Sequence, residues 1–134
     1  MPINSRQKGA SGEREFIAEL KEWLGDMADG LKRNLEQTRE GGHDIVGLGN
    51  WALEVKRYAK ASDGLIARWW EQAVEQAGND RIPVLAYRED RQEWRIRIPI
   101  GIVTPSVTTS NDLAWTIEVS PELFAAIVRE FSHV

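Results

Sequence analysis

Residues 41–58, Gly41-Gly42-His43-Asp44-Ile45-Val46-Gly47-Leu48-Gly49-Asn50-Trp51-Ala52-Leu53-Glu54-Val55-Lys56-Arg57-Tyr58, read as a β-hairpin with one charged face. Ile45, Val46 and Leu48 are strand formers ahead of a Gly-Asn turn, and side-chain character alternates from Trp51 to Tyr58. Residues two apart on a strand point the same way, so Glu54 and Lys56 share one face and Leu53 and Val55 the other. The apolar pair takes the core. Register then decides where Asp44 goes. With Gly49-Asn50 as the whole loop, Asp44 would fall opposite Val55 on the wrong face. A three-residue loop, Leu48-Gly49-Asn50, sets it opposite Glu54, and Gly49 or Asn50 suits the φ > 0 that such loops need. The odd loop, or a bulge of equal effect, is expected.

Two carboxylates with an amine beside them suit a hard cation. Mg²⁺ takes oxygen ligands and keeps several waters, so Asp44, Glu54 and a main-chain carbonyl such as that of Val55 would suffice from the protein. A cation held there can polarise a phosphate oxygen and acidify a bound water, and Lys56 could orient that water or balance charge on phosphorus.

Outward from the hairpin, residues 1–10 read as a flexible arm and Ser11 as the N-cap of a helix ending near Asp26. Phe16, Ile17, Leu20, Trp23, Leu24 and Met27 give its apolar stripe. Glu13 lies over the same inward face, which suits either a first-turn charge or a third carboxylate of the site. Leu31 to Glu36 is a short strand candidate. His43 in its loop could titrate or touch DNA, although a lone loop histidine more often does neither. Beyond the hairpin, Ser62 should cap a helix over Asp63 to Ala77, with Gly78 as its stop. Its stripe includes Trp69 and Trp70, one of which could cover a partner subunit, although the core is the more common place for both. Gln72 stands partly opposite that stripe and could reach a phosphate or the attacking water. Ile82 to Tyr87 reads as a central strand and Gln92 to Ile98 as its antiparallel return. Pro99 to Asp112 is loop-like, Leu113 to Val119 a further strand, and Ser120-Pro121 the start of a last helix.

At 134 residues with 42% hydrophobic content the chain makes one domain, with no run long enough to span a bilayer. The absence of cysteine excludes disulfides and thiolate metal sites. The polar N-terminus lacks a signal peptide's apolar segment, so a soluble cytoplasmic protein is expected. The net charge of −4 argues against coating nucleic acid by bulk attraction. Within residues 1–60, Lys8, Arg14, Lys32, Arg33, Arg39, Arg57 and Lys60 remain for phosphates.

The element order predicts an α/β fold with a mixed central sheet flanked by helices. On Glu13, Asp44, the Glu54-Val55-Lys56 triplet, the helix with Gln72 and the strand from Pro83 to Tyr87, the sequence resembles the PD-(D/E)XK nuclease superfamily. The likeness is greatest to Holliday-junction-resolvase-like and phage-encoded endonucleases, which open with a Lys-Gly-x-x-Gly-Glu pattern like Lys8-Gly9-Ala10-Ser11-Gly12-Glu13. It covers about residues 8–98. His43 stands where the motif name has proline.

The resemblance implies a restriction-endonuclease-like core over residues 11–98, with residues 99–134 as an extra strand and helix packed on the same domain. It implies Mg²⁺-dependent hydrolysis of DNA phosphodiesters (with Mn²⁺ as a substitute), structure-selective in the manner of a Holliday junction resolvase, commonly by a homodimer. Asp44, Glu54 and the Val55 carbonyl would be metal ligands, Glu13 a further ligand directly or through water, and Lys56 the catalytic lysine. Lys8, Ser11, Arg14, Arg39, Arg57 and Gln72 are weaker candidates for DNA contacts. Two other readings stand beside it: a nuclease-fold module that binds DNA or a protein without cutting, and a plain interaction protein whose hairpin charges form a surface ion pair.

Overall fold

The structure is a computed structural model that describes residues 5–34 and 44–131, with side chains from residue 9 onward. In chain order the elements are α1 (Ser5–Leu24), β1 (Lys32–Arg33), β2 (Ile45–Val46), β3 (Trp51–Tyr58), α2 (Asp63–Ala77), β4 (Ile82–Glu89), β5 (Arg95–Pro99), β6 (Thr116–Val119) and α3 (Pro121–Phe131). The strands form a six-stranded sheet in the order β1-β2-β3-β4-β5-β6. Only β3 and β4 run parallel, joined by α2 as a crossover, and every other neighbouring pair is antiparallel. The sheet is therefore mixed, as expected.

Side-chain alternation divides the interior in two. Leu53, Val55, Val84, Ala86, Ile96 and Ile98 face α1 and α3, where Phe16, Leu20, Leu24, Phe124 and Val128 complete the larger core. Leu85 and Tyr87 face the other way and are covered by Ile66, Trp69, Trp70 and Ala73 of α2. Both tryptophans are buried, so the core takes them. The Trp70 indole N–H donates to the Asn111 carbonyl at 2.7 Å, which ties α2 to the loop before β6. Residues beyond 99 belong to the same interior: β6 pairs with β5, and α3 packs on α1.

The caps read from sequence are present. Ser62 Oγ accepts from the Leu65 N–H at 3.2 Å, and Ser120 Oγ from the Leu123 N–H at 3.1 Å. The N-terminal expectation needs correction. Helix α1 begins at Ser5, so residues 5–10 are helix instead of an arm, and Ser11 is an exposed interior position instead of a cap. Arg6, Gln7, Lys8 and Ala10 are good helix formers, and the buried stripe nucleates a helix that propagates back through them. At its far end α1 stops at Leu24, and a 3₁₀ turn (Gly25–Ala28) follows, with Gly25 at φ +57°. That tightening swings Met27 out of the stripe, leaving it exposed.

Two glycines let backbones approach where a side chain would not fit. Gly47, at φ +103°, lies so near the Gly30 carbonyl that a Cβ would come within 1.9 Å of it. Gly12 sits on β3, where a Cβ would meet Arg57 Cβ at 2.9 Å. The second contact holds the start of α1, and with it Glu13, against the hairpin.

Candidate active site

The hairpin has the odd loop. Ile45 pairs with Leu53, which leaves Leu48-Gly49-Asn50 between Gly47 and Trp51, and the Trp51 N–H donates to the Leu48 carbonyl at 3.1 Å. One residue further along, Asp44 stands opposite Glu54. β2 spans only Ile45–Val46, and Asp44 is fixed just outside it by three bonds. Its N–H donates to the Leu53 carbonyl at 2.9 Å, its carbonyl accepts from the Asn34 N–H at 2.8 Å, and its carboxylate accepts from the Val55 N–H at 2.7 Å. The side chain thus takes up the amide that a longer β2 would have paired.

Asp44 and Glu54 open into a single cavity of about 310 Å³, whose walls also include Gly9, Glu13, Val55, Lys56, Arg57, Tyr58, Ala59 and Gln72. Elements distant in sequence meet here: the first turns of α1, the end of the hairpin, β3, and Gln72 of α2. Glu13, Asp44 and Glu54 are the buried charged residues among those described, at 7%, 7% and 3% exposure. Lys56 Nζ is 3.5 Å from Glu54 Oε1, and Arg33 Nε of β1 is 3.5 Å from Glu13 Oε1.

The electrostatics are those of an anionic pocket short of counter-charge. Burial, then the neighbouring Asp44 charge, pushes the Glu54 carboxyl up to about 8 against the partial relief given by Lys56. Glu13 is raised by the same causes in the same order, with Arg33 opposing. Glu54 Oε2 is buried without a hydrogen-bond partner. A buried oxygen with no donor, in a pocket where the Asp44 charge raises both Glu13 and Glu54, suits a divalent cation. Among the described residues no three acidic or histidine side chains converge closely enough to form a ready-made cation cage.

The remaining candidates are distributed unevenly. Gln72 is half-buried in the cavity wall. Arg57 also borders the cavity, but its guanidinium is engaged with Glu15 (3.6 Å) and Asp90. Arg88 pairs with the same Glu15, so these basic groups are tied into a surface network. Ser11 and Arg14 are exposed on α1 and do not line the cavity. The Lys8 side chain, Arg39 and His43 lie outside the described residues. Sequence reasoning missed the Arg33 contact with Glu13 and the place of Tyr58 in the wall. Tyr58 was signalled by the same two-residue period that paired Glu54 with Lys56, whereas the Arg33 contact depends on how β1 and α1 meet.

The model of a family described as "Phage putative PDDEXK endonuclease" matches residues 4–122. This match runs past the 8–98 expected from the motif residues and takes in β6. A solved structure, the Holliday junction resolvase Hjc of the hyperthermophilic archaeon Archaeoglobus fulgidus, aligns over 89% of this chain and 97% of its own at 22% identity and a TM-score of 0.46. No curated protein is significantly similar.

Proposed function

The chain belongs to the phage PD-(D/E)XK endonuclease family, and on that premise we propose that it is a Mg²⁺-dependent, structure-selective DNA endonuclease of the Holliday-junction-resolvase kind. Its mixed six-stranded sheet flanked by helices fits the restriction-endonuclease-like arrangement expected of that family. The observation that carries the proposal is the convergence of Glu13, Asp44, Glu54 and Lys56 on one cavity, with Glu54 Oε2 buried and unpartnered.

In this reading Asp44, Glu54 and the Val55 carbonyl would hold the ion, with Glu13 a further ligand directly or through water. Bound there, Mg²⁺ (or Mn²⁺) supplies Lewis-acid polarisation of a phosphate oxygen and acidification of a water. The chain's own groups do the positioning. The Val55 N–H fixes the Asp44 carboxylate, leaving its other oxygen for the centre. Lys56 Nζ, beside Glu54, orients the attacking water and offsets negative charge developing on phosphorus. Gln72 lines the same cavity from α2, from where it could reach that water or a phosphate. Water adds to phosphorus and gives up a proton to solvent as the bond to the leaving deoxyribose oxygen breaks, and that oxygen takes up a proton from solvent.

No helix among the described residues is long and apolar enough to cross a membrane. The DNA of a phage lies in its host's cytoplasm, and the proposal places the enzyme there. Cutting paired strands of a junction needs two sites, which a homodimer would provide.

A cleavage panel tests this. With Mg²⁺, four-way junction and flap DNA are expected to be cut in preference to linear duplex, EDTA to abolish cutting, and Glu54→Gln or Lys56→Ala to lower the rate by at least about 100-fold. Undiminished cutting in EDTA would refute the metal assignment, and equal cutting of all substrates would remove structure selectivity. Sedimentation of the purified protein reads its subunit number.

A further inference from the structure

Tyr58 occupies a place in the cavity wall that hydrolysis alone does not explain. It follows Glu54 and Lys56 at two-residue steps on β3, so the three share a face in the order acid, amine, aromatic, each step advancing about 6–7 Å. Its ring lies against Trp69 of α2, centroids 4.7 Å apart and planes at 48°, and Trp69 is itself buried at 3% exposure. Tyr58 is nevertheless 43% exposed. The Tyr58 carbonyl accepts from the Asp90 N–H at 3.1 Å, which pins the backbone beneath it. The result is a part-exposed aromatic ring tilted against a buried indole, at the edge of a cavity whose next two side chains are Lys56 and Glu54.

We propose that Tyr58 is a stacking surface for an unpaired nucleobase next to the phosphate held in the cavity. This rests on the nuclease reading of the same site and names the feature of DNA that the site selects. Each nucleotide advances a stacked strand by about 3.4 Å, so a ring one two-residue step beyond the lysine is within reach of a base flanking the bound phosphate. Inside a continuous duplex both faces of each base are covered by its neighbours. Only a nucleotide freed at a branch point, flap or frayed end can offer a face to Tyr58. Tyr58 therefore favours branched or splayed DNA over duplex without reading sequence, since every base has a π face. The indole beside it keeps the ring in one orientation, so little side-chain freedom is lost on stacking.

The test uses two DNAs of one sequence, a flap carrying 2-aminopurine at its first unpaired nucleotide and the continuous duplex. Binding is measured with Ca²⁺ in place of Mg²⁺, and cleavage with Mg²⁺. Tyr58→Phe keeps the ring, and Tyr58→Leu covers Trp69 without one. The wild type and Tyr58→Phe are expected to quench the 2-aminopurine. Tyr58→Leu is expected to leave it bright and to weaken flap binding about 5- to 150-fold, with duplex binding unchanged and the loss appearing in KM more than in kcat. Equal weakening on both DNAs, or quenching that survives in Tyr58→Leu, overturns the stacking role while the nuclease reading stands. A wild type that neither binds nor cuts either DNA overturns both.

Discussion

The carboxylate of Asp44 accepts a hydrogen bond from the backbone N–H of Val55 at 2.7 Å, so an acid of the site also closes the hairpin that carries its partners. Asparagine can still accept that bond, whereas alanine leaves a buried N–H unpaired. Asp44→Asn is expected to melt near the wild-type temperature and to lose cleavage by at least about 100-fold. Asp44→Ala should in addition lose about 1–3 kcal/mol of stability. Thermal melts paired with cleavage rates check both, and wild-type cutting by Asp44→Asn would remove Asp44 from the chemistry.

Glu54 yields a prediction of opposite sign for stability. An acid whose folded pKa, about 8, lies above its ordinary 4.5 holds its proton more tightly when folded, so its ionisation opposes folding. The penalty is absent below 4.5, grows as pH rises between the two values and is complete above the higher one. In EDTA at neutral pH, Glu54→Gln should therefore melt above the wild type, and the gain should vanish in acid. Added Mg²⁺ should raise the wild-type melting temperature more than that of the variant. A variant less stable than wild type in neutral EDTA would contradict this.

Gly12 sets the distance between α1 and the hairpin. A Cβ there would stand 2.9 Å from Arg57 Cβ, so Gly12→Ala must lift the helix or shift the strand, at a cost of about 1–3 kcal/mol. Glu13 is the next residue, so cleavage should fall with stability. Gly64→Ala in α2, with open space around it, should be neutral or stabilising by about 0.5–1 kcal/mol. Equal melting temperatures for the two variants would show that the close approach is unimportant.

Glu118 of β6 accepts from the Tyr87 hydroxyl and from Arg95 Nε at 2.9 Å. Burial alone would raise its carboxyl, but those hydrogen bonds and the Arg95 and Arg97 charges hold it below the ordinary 4.5. A depressed acid stabilises the fold above its unfolded pKa and ceases to do so as pH falls through the folded one. The stability difference between wild type and Glu118→Gln should accordingly be largest near neutrality and shrink below pH 4.5. Chemical denaturation across that range reads it, and a constant difference would exclude the linkage.

What could be read in the sequence was what local geometry decides. Strand parity with a three-residue loop sufficed to put Asp44 with Glu54, and serine caps with apolar stripes located α2 and α3. The start of α1 was missed because residues 5–10 carry no apolar period, and propagation from a buried stripe leaves no local mark. Arg57 reads as a free cation until the fold sets Glu15 and Asp90 beside it. The Tyr87, Arg95 and Glu118 cluster draws on strands far apart in the chain, and no spacing rule joins them.

Phe124 and Val128 of α3 form part of the wall on which α1 rests. On a translating ribosome Glu13, Asp44, Glu54 and Lys56 emerge long before that wall does. A polypeptide stopped at residue 98 keeps these four candidate residues and lacks their support, and circular dichroism of such a fragment should show an unfolded chain. On the proposed reading, the order of emergence withholds the site until α3 has been made.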